Sequence, residues 1–194
     1  MSKWIERQQR DPFVKSRNRE KKVSRAYYKI QAINEKFNMI RKNSTVLDLG
    51  GSPGGWSQYF SEITDNVVAI DILDRFQVPN VNFICGDIFD ESVYGPLGKF
   101  SIIASDISPN LSGNKILDNC NSFNLWEQVF HVAKEKLKPG GHIIIKTFES
   151  DELTQFIFMI KKFFKLIKRY KPESSRQESR EIFIVAFYFK NIKL

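Results

Sequence analysis

The feature that most constrains the fold is an apolar segment that runs directly into a glycine-rich turn. Val46-Leu47-Asp48-Leu49 is followed by Gly50-Gly51-Ser52-Pro53-Gly54-Gly55-Trp56. In α/β proteins, nucleotide-like cofactors bind where a strand ends in such a turn and the following helix begins. Glycine has no Cβ and tolerates positive φ, so the backbone can approach a ligand closely. The turn predicts a nucleotide-like cofactor, and the alternative is a structural turn without a ligand.

An acidic residue stands where a ribose-binding carboxylate is expected. Asp71 ends a second apolar run and follows Gly50 by 21 residues. In doubly wound folds a carboxylate about 20 residues after the turn bonds the ribose hydroxyls. The turn lacks the G-x-G-x-x-G spacing of dinucleotide enzymes, and Asp48 suits a cationic ligand better than a pyrophosphate. These features favour S-adenosylmethionine over NAD.

Apolar runs alternate with helical segments along the chain. The expected strands are Thr45–Leu49, Asn66–Asp71, Val81–Cys85, Ser101–Ser105, Gly141–Thr147, Phe163–Arg169 and Ile182–Phe189. The expected helices are 24–38, Trp56–Glu62, Phe123–Leu137 and Glu152–Met159. Repeated βαβ units build a parallel sheet, and two final strands without a helix between them pair antiparallel. We predict a Rossmann-like α/β fold with a seven-stranded, mostly parallel sheet, an antiparallel edge hairpin and helices on both faces.

Length and composition limit the classes of protein that remain. The 194 residues suffice for one domain, expected to be 1–194 with 1–22 as a basic arm. The apolar runs are too short for a membrane span, and no signal peptide is visible. We therefore expect a soluble intracellular protein, cytoplasmic or mitochondrial, that is monomeric and has no membrane partner. The cysteines and histidines lack metal-ligand spacing, so no metal is expected.

Basic residues concentrate at the two ends of the chain. Residues 1–30 hold ten Lys and Arg against three Asp and Glu, and residues 161–180 hold eight against two, within a net charge of +8. Segregated positive charge interleaved with aromatic residues is typical of nucleic-acid binding. The alternative is an ordinary solvated charged face. The distribution favours RNA or another polyanion as the partner.

Charged residues follow several of the expected strands, where open α/β sheets bind their ligands. Asp87 follows the third strand and is expected either to approach an adenine or to form a turn or helix cap. Asp106 follows the fourth strand, and Lys146 ends an apolar run. Because a buried charge is costly without a partner, Asp106 and Lys146 are expected to pair. The sequence leaves open whether that pair is structural or catalytic.

Five segments, in order along the chain, resemble the FtsJ/RrmJ family of ribose 2′-O-methyltransferases, which use S-adenosylmethionine. The segments are 24–30 (SRAYYKI), 48–56 (DLGGSPGGW), 105–113 (SDISPNLSG), 140–146 (GGHIIIK) and 174–181 (SSRQESRE). The resemblance covers nearly the whole chain. It implies four catalytic residues: Lys29, Asp106, Lys146 and Glu181. It also places Gly54, Trp56, Asp71, Asp87 and Asp106 at the cofactor, although Trp56 read alone is more often a core residue.

The full set of expected cofactor residues combines the turn with the strand ends. It comprises Asp48, Gly50, Gly51, Ser52, Pro53, Gly54, Gly55, Trp56, Asp71, Ile72, Asp87, Ile88 and Asp106. Lys146 is the expected general base, because burial and the like charge of Lys29 favour its neutral form. The alternative is that its charge stabilises the alkoxide.

The resemblance also implies a substrate, a uridine of large-subunit ribosomal RNA. Family members that act on tRNA usually continue differently after the catalytic aspartate, where this chain has Ile107-Ser108-Pro109-Asn110. A tRNA methyltransferase and a non-catalytic RNA-binding assembly factor are the alternatives.

Overall fold

A single mixed sheet of seven strands forms the centre of the protein in this computed structural model, which describes residues 20–110, 112–175 and 179–192. The strands are β1 (Val46–Leu49), β2 (Val67–Asp71), β3 (Asn82–Cys85), β4 (Phe100–Ser105), β5 (Leu137–Phe148), β6 (Phe164–Tyr170) and β7 (Glu181–Phe189). Their order is β3-β2-β1-β4-β5-β7-β6. The first five are parallel, and β7 runs antiparallel between β5 and β6. The predicted architecture is confirmed, including the antiparallel pair at one edge.

Helices cover both faces of this sheet. They are α1 (Ala26–Phe37), α2 (Gly55–Ser61), α3 (Glu91–Tyr94), α4 (Lys115–Lys136) and α5 (Asp151–Ile160), and a 3₁₀ turn at Lys161–Phe163 leads into β6. On one face, α1 and α2 bury a cluster that includes Ile30, Ile33 and Phe60. On the other, α4 and α5 bury Trp126, Phe130 and Phe156. The branched apolar residues of the central strands fill the space between these layers, as expected for a doubly covered sheet.

The structure differs from the predicted elements at α3 and α4. The α4 helix begins at Lys115 rather than at Phe123, because the Asn114 side chain accepts from the N–H groups of Ile116 and Leu117 and caps it. The single turn of α3, which Asp90 caps through the Ser92 N–H, was not predicted. The β5 strand starts at Leu137 rather than at Gly141.

Most of the predicted basic arm, 1–22, lies outside the described residues. Within its described part, Lys22 Nζ lies 2.8 Å from Glu62 Oε1 and so ties the start of the described chain to the end of α2. In the described part of the chain, no helix has the length and apolar content that a membrane crossing needs.

Candidate active site

The glycine turn between β1 and α2 is shaped by close packing. Gly50 and Gly54 adopt φ values of +77° and +120°, which favour glycine. A Cβ on Gly50 would lie 2.5 Å from Ile107 Cγ1, and one on Gly54 would clash with Val78 Cγ2. At both positions the space is therefore filled by protein atoms. The glycines are needed to fit the turn against its neighbours, whereas the sequence analysis assigned that space to a ligand.

Asp71 braces this turn from the end of β2. Its Oδ2 accepts a 2.9 Å hydrogen bond from the Ser52 N–H, and its Oδ1 accepts one of 2.8 Å from the Leu73 N–H. The carboxylate is thereby held at the mouth of the turn. Carboxylate oxygens have several acceptor sites, so two such bonds leave capacity for ribose hydroxyls.

A cavity of about 340 Å³ opens beside the turn, at the carboxyl ends of the parallel strands. Seven of the predicted cofactor residues line it: Gly50, Ser52, Asp71, Ile72, Asp87, Ile88 and Asp106. Asp87 also accepts from the Phe89 N–H, so it forms a turn while it faces the cavity. The remaining predicted cofactor residues, which do not line it, are Asp48, Gly51, Pro53, Gly54, Gly55 and Trp56.

Sequence reasoning missed part of the cavity wall. Leu73, Phe89 and Leu125 line it, and Leu73 and Phe89 are exposed apolar side chains. Leu73 and Phe89 each come directly after a predicted site residue, so their position in the sequence could have indicated that they line the cavity. Leu125 comes from α4, where nothing in the sequence indicated a ligand. A larger cavity of about 970 Å³ lies against α4 and α5 and contains none of the predicted site residues.

Asp48 lies beneath the turn and is completely buried. Its Oδ2 accepts a 2.6 Å hydrogen bond from Ser57 Oγ, while its Oδ1 has no hydrogen-bond partner among the described residues. Burial raises the pKa of Asp48 to about 7, and the charges of Asp106 and Asp71 act in the same direction. Three carboxylates therefore converge at this end of the sheet. Such a group favours a ligand that carries positive charge.

Trp56 has its side chain in the core. Its indole is 2% exposed and packs against Phe60 and Phe183, with ring centroids 6.4 and 5.9 Å away. The indole Nε1 is buried and lacks a hydrogen-bond partner within the described part of the chain. Its environment matches the alternative interpretation of Trp56 as a core residue.

Lys146 and Asp106 meet where β5 and β4 end. The Lys146 Nζ donates a 2.5 Å hydrogen bond to the Asp106 carbonyl oxygen. It also lies 3.0 Å from Asp106 Oδ1, within ion-pair distance, although Oδ1 lacks hydrogen-bond geometry to any described donor. Because Asp106 also lines the 340 Å³ cavity, this lysine is anchored to the cavity wall.

Lys29 and Glu181 form a second pair beside the first. The Lys29 Nζ, from α1, donates a 2.7 Å hydrogen bond to Glu181 Oε2, at the start of β7. The Ser175 hydroxyl donates to the other oxygen, Oε1, at 2.7 Å. Burial acts to raise the pKa of Glu181, but the charges of Lys29 and Lys146 and the two hydrogen bonds outweigh it, so this pKa lies below its ordinary value.

The segment before β7 is held by the residue that immediately precedes α1. An Arg25 guanidinium N–H donates a 2.8 Å hydrogen bond to the Ser174 carbonyl, and the Ser175 N–H bonds the Pro172 carbonyl. Both serines are buried. Sequence reasoning did not single out Ser175, although it lies within a quoted motif. The fold thus brings all four predicted catalytic residues to one end of the sheet, from α1, β5, β7 and the loop after β4.

Comparison with known proteins identifies the class of enzyme. The family model of FtsJ-like methyltransferases matches residues 22–189. The chain belongs to the FtsJ-like methyltransferase family. The resemblance drawn from the five motifs is therefore confirmed, and S-adenosylmethionine is the cofactor of this family.

Relatives of this FtsJ-like methyltransferase match over nearly their whole length. Two are named Ribosomal RNA large subunit methyltransferase E. The protein of Wigglesworthia glossinidia brevipalpis is 40% identical over 194 residues, covering 96% of each chain. That of Buchnera aphidicola subsp. Cinara cedri is 37% identical over 193 residues, covering 95% of this chain and 92% of its own. A solved ribosomal RNA methyltransferase structure from Plasmodium falciparum superposes with a TM-score of 0.75 and 31% identity, covering 86% of this chain and 97% of that one.

The cavity of this FtsJ-like methyltransferase suits S-adenosylmethionine. Asp71 and Asp106 line it and give it negative charge, and Asp48, which is buried beneath the turn with one oxygen unpartnered among the described residues, lies at the same end of the sheet. The cofactor carries an ammonium and a sulfonium, so this donor set matches its charge. Asp71 stands where ribose hydroxyls are bound in doubly wound folds.

Proposed function

We propose that this protein methylates a ribose 2′-hydroxyl of large-subunit ribosomal RNA. The observation that carries the proposal is the convergence of Lys29, Asp106, Lys146 and Glu181 beside the cofactor cavity. A cavity that only held a cofactor would not need a lysine paired with Asp106 in its wall and a second lysine–carboxylate pair beside the first. The names of the relatives, which specify large-subunit ribosomal RNA, support the choice of substrate.

Asp71, Asp87 and the turn at Gly50 are the residues that we propose hold the cofactor. When bound, S-adenosylmethionine supplies a methyl group already activated on its sulfonium. The protein must therefore position the ribose hydroxyl and deal with its proton, because a neutral hydroxyl is a weak nucleophile. Holding the hydroxyl in line with the methyl donor is worth several orders of magnitude in rate.

We propose that Lys146 takes the hydroxyl proton as a neutral amine and then, as an ammonium, forms the ion pair seen with Asp106. Asp106 fixes the position of its Nζ through the carbonyl and the carboxylate, so the amine is held at the edge of the site. A general base of this kind contributes about 10²–10⁴-fold in rate. The Lys29–Glu181 pair lies close enough for Glu181 to feel the charge of Lys146. We assign this second pair the task of holding the ribose.

Positive charge at both ends of the chain supports an RNA substrate. Residues 161–180 carry a net +6, from eight basic and two acidic residues. Phosphate contacts supply affinity that does not depend on sequence. Since ribosomal RNA is made and used inside cells, we also propose an intracellular protein, organised as one domain over 1–194.

The test is methyl transfer from labelled S-adenosylmethionine to large-subunit particles, naked ribosomal RNA and tRNA. Nuclease digestion followed by nucleoside analysis locates the label. The proposal expects 2′-O-methyluridine in the ribosomal samples. Label only in tRNA would overturn the substrate, and label on a base would overturn the reaction. Cofactor binding without transfer to any RNA would favour the non-catalytic assembly factor.

A further inference from the structure

We propose that the outer edge of the sheet, along β6, holds a second binding site for the RNA phosphate backbone. This site lies apart from the four residues assigned to chemistry. The inference rests on the proposed RNA substrate and adds where the body of that RNA is held.

A cavity of about 520 Å³ lies between the end of α5 and β6. Four of its lining residues are cations: Lys161, Lys165, Arg169 and Lys190. None of the described residues that line it carries a carboxylate. Four like charges around one concave surface repel one another and attract a polyanion.

Few of these cations are neutralised by the protein itself. Arg169 lies 3.6 Å from Glu149, but the two side chains are 43% and 50% exposed. Solvent screens such a pair, so Glu149 neutralises little of the Arg169 charge. Lys165 Nζ lies 5.8 Å from the centre of the Tyr188 ring, an exposed cation–π contact that leaves the charge available. Lys161 and Lys190 have no ion-pair partner in the described ranges.

The strand that carries this cavity is at the edge of the sheet. Among the described strands, β6 pairs only with β7, from Phe164 opposite Phe189 to Tyr170 opposite Phe183. Its outward residues are charged, apart from Leu166, which is 43% exposed. A concave cationic surface with one apolar side chain suits a phosphate backbone with an adjoining sugar or base.

The geometry connects this edge with the catalytic end of the sheet. Because β6 runs in the same direction as β5, Arg169 lies toward the end where Lys146 sits. Lys165 lies about 13 Å further down the strand at the usual rise per residue. β7 alone separates β6 from β5, so the edge is about 10 Å from the strand of Lys146. An RNA whose ribose reaches Lys146 can therefore continue along β6.

Lysines on an edge strand also have a simpler explanation, since they prevent edge-to-edge aggregation. That explanation accounts for exposed charge on β6. It does not account for Lys161 and Lys190, which lie outside the strand and face the same cavity. The two explanations predict different salt dependence of RNA binding.

The test compares two triple variants with equal changes in charge. The cavity variant is Lys161→Gln, Lys165→Gln and Lys190→Gln. The control replaces three exposed lysines elsewhere: Lys36→Gln, Lys42→Gln and Lys99→Gln. The Kd for naked large-subunit ribosomal RNA is measured over a range of salt concentrations. Thermal unfolding and S-adenosylhomocysteine binding check that both variants are folded.

We expect the cavity variant, but not the control variant, to have a higher Kd for ribosomal RNA than the wild type. The magnitude of the slope of log K against log salt should fall by about 0.7–0.9 for each phosphate that the variant no longer neutralises, or about 2–3 for three lysines. Equal behaviour of the two variants would overturn the site and leave the lysines as edge protection. Methyl transfer by the wild-type enzyme is measured separately, so a failure of the proposed reaction remains distinguishable from a failure of this surface. Absence of wild-type binding to naked ribosomal RNA would overturn this surface, while the methyl-transfer assay decides the proposed reaction.

Discussion

Lys29 and Glu181, 152 positions apart in the chain, are joined by a 2.7 Å hydrogen bond. The bond links the first turn of α1 to the first residue of β7. Both side chains are largely buried, at 13% and 11% exposed, so the pair is shielded from solvent. It fixes α1 beside Lys146 and so joins the first described helix to the chemistry of the last strand.

Glu181→Gln should make the stability of the protein less dependent on pH in acid. The folded-state pKa of Glu181 lies below its ordinary value of 4.5, so its stabilising effect is complete above about 4.5 and is lost as pH falls through the lowered value. At pH 7 we expect the variant to lose about 1–3 kcal/mol in the free energy of unfolding, because Lys29 is left unpaired. Urea unfolding at pH 7 and pH 3 measures both effects.

Glu149→Gln is the control for that experiment. Its ion pair with Arg169 is exposed and 3.6 Å long, so we expect a change below about 1 kcal/mol. A Glu181→Gln variant that differs from wild type equally at both pH values would refute the role given to the ionised pair.

Ser175→Ala should raise the pKa of Glu181. The variant loses the 2.7 Å hydrogen bond that stabilises the carboxylate. We expect the Glu181 carboxyl carbon, followed by NMR, to titrate at higher pH than in wild type, with Ser175→Thr restoring the wild-type titration. Ser174→Ala is a matched control, because the Ser174 hydroxyl is buried but has no partner among the described residues. An unchanged titration of Glu181 in Ser175→Ala would mean that the hydroxyl does not stabilise the carboxylate.

The wild-type protein should lose stability as pH rises from about 4 to 7, and Asp48→Asn should abolish this loss. The folded-state pKa of Asp48 is about 7 against an ordinary 3.8, so in this range the unfolded chain has released a proton that the folded protein retains. The free energy of unfolding of the ligand-free protein therefore falls as pH rises to about 7 and then levels off. Thermal melts at pH 5, 7 and 9 compare the two proteins. If the melting temperatures of the two proteins changed with pH in the same way, the raised pKa of the buried Asp48 carboxyl would be contradicted.

Gly50→Ala should weaken cofactor binding by distorting the turn. The new Cβ would sit 2.5 Å from Ile107 Cγ1 at a φ of +77°, and Ile107 lines the cofactor cavity. Strain of this kind costs about 1–3 kcal/mol. We expect the Kd for S-adenosylhomocysteine, measured by calorimetry, to rise at least tenfold. Gly98→Ala is the control, since nothing lies within 4 Å of its Cβ position. Equal Kd values for the two variants would show that the turn tolerates a side chain.

The sheet could be predicted from the sequence because its signals are local. Runs such as Ile143-Ile144-Ile145 are fully or almost fully buried between two helical layers, and each predicted strand is present. The first turns of α4 could not be found in this way, because Ile116 is 78% exposed and no apolar face marks the helix there. Its only local signal was the cap residue Asn114.

The site was less accessible to sequence reasoning because it depends on contacts between distant segments. The spacing of Asp71 from the glycine turn predicted its position at the end of the second strand, and the charges of Asp106 and Lys146 predicted that these two residues pair. Lys29 and Glu181 came from the family resemblance, since no spacing relates residues so far apart. The support of Glu181 by Ser175 became visible only in the folded structure, where one hydroxyl faces the carboxylate and its neighbour does not.

The most direct test of the account is the rate of methyl transfer by Lys146→Ala to large-subunit ribosomal RNA, measured in single turnover with saturating cofactor. We expect a loss of about 10²–10⁴-fold in this rate with an unchanged Kd for S-adenosylhomocysteine. Lys146→Arg should lose as much, because a guanidinium keeps the charge but cannot accept a proton. Rates within a few-fold of wild type in the alanine variant would contradict the central claim.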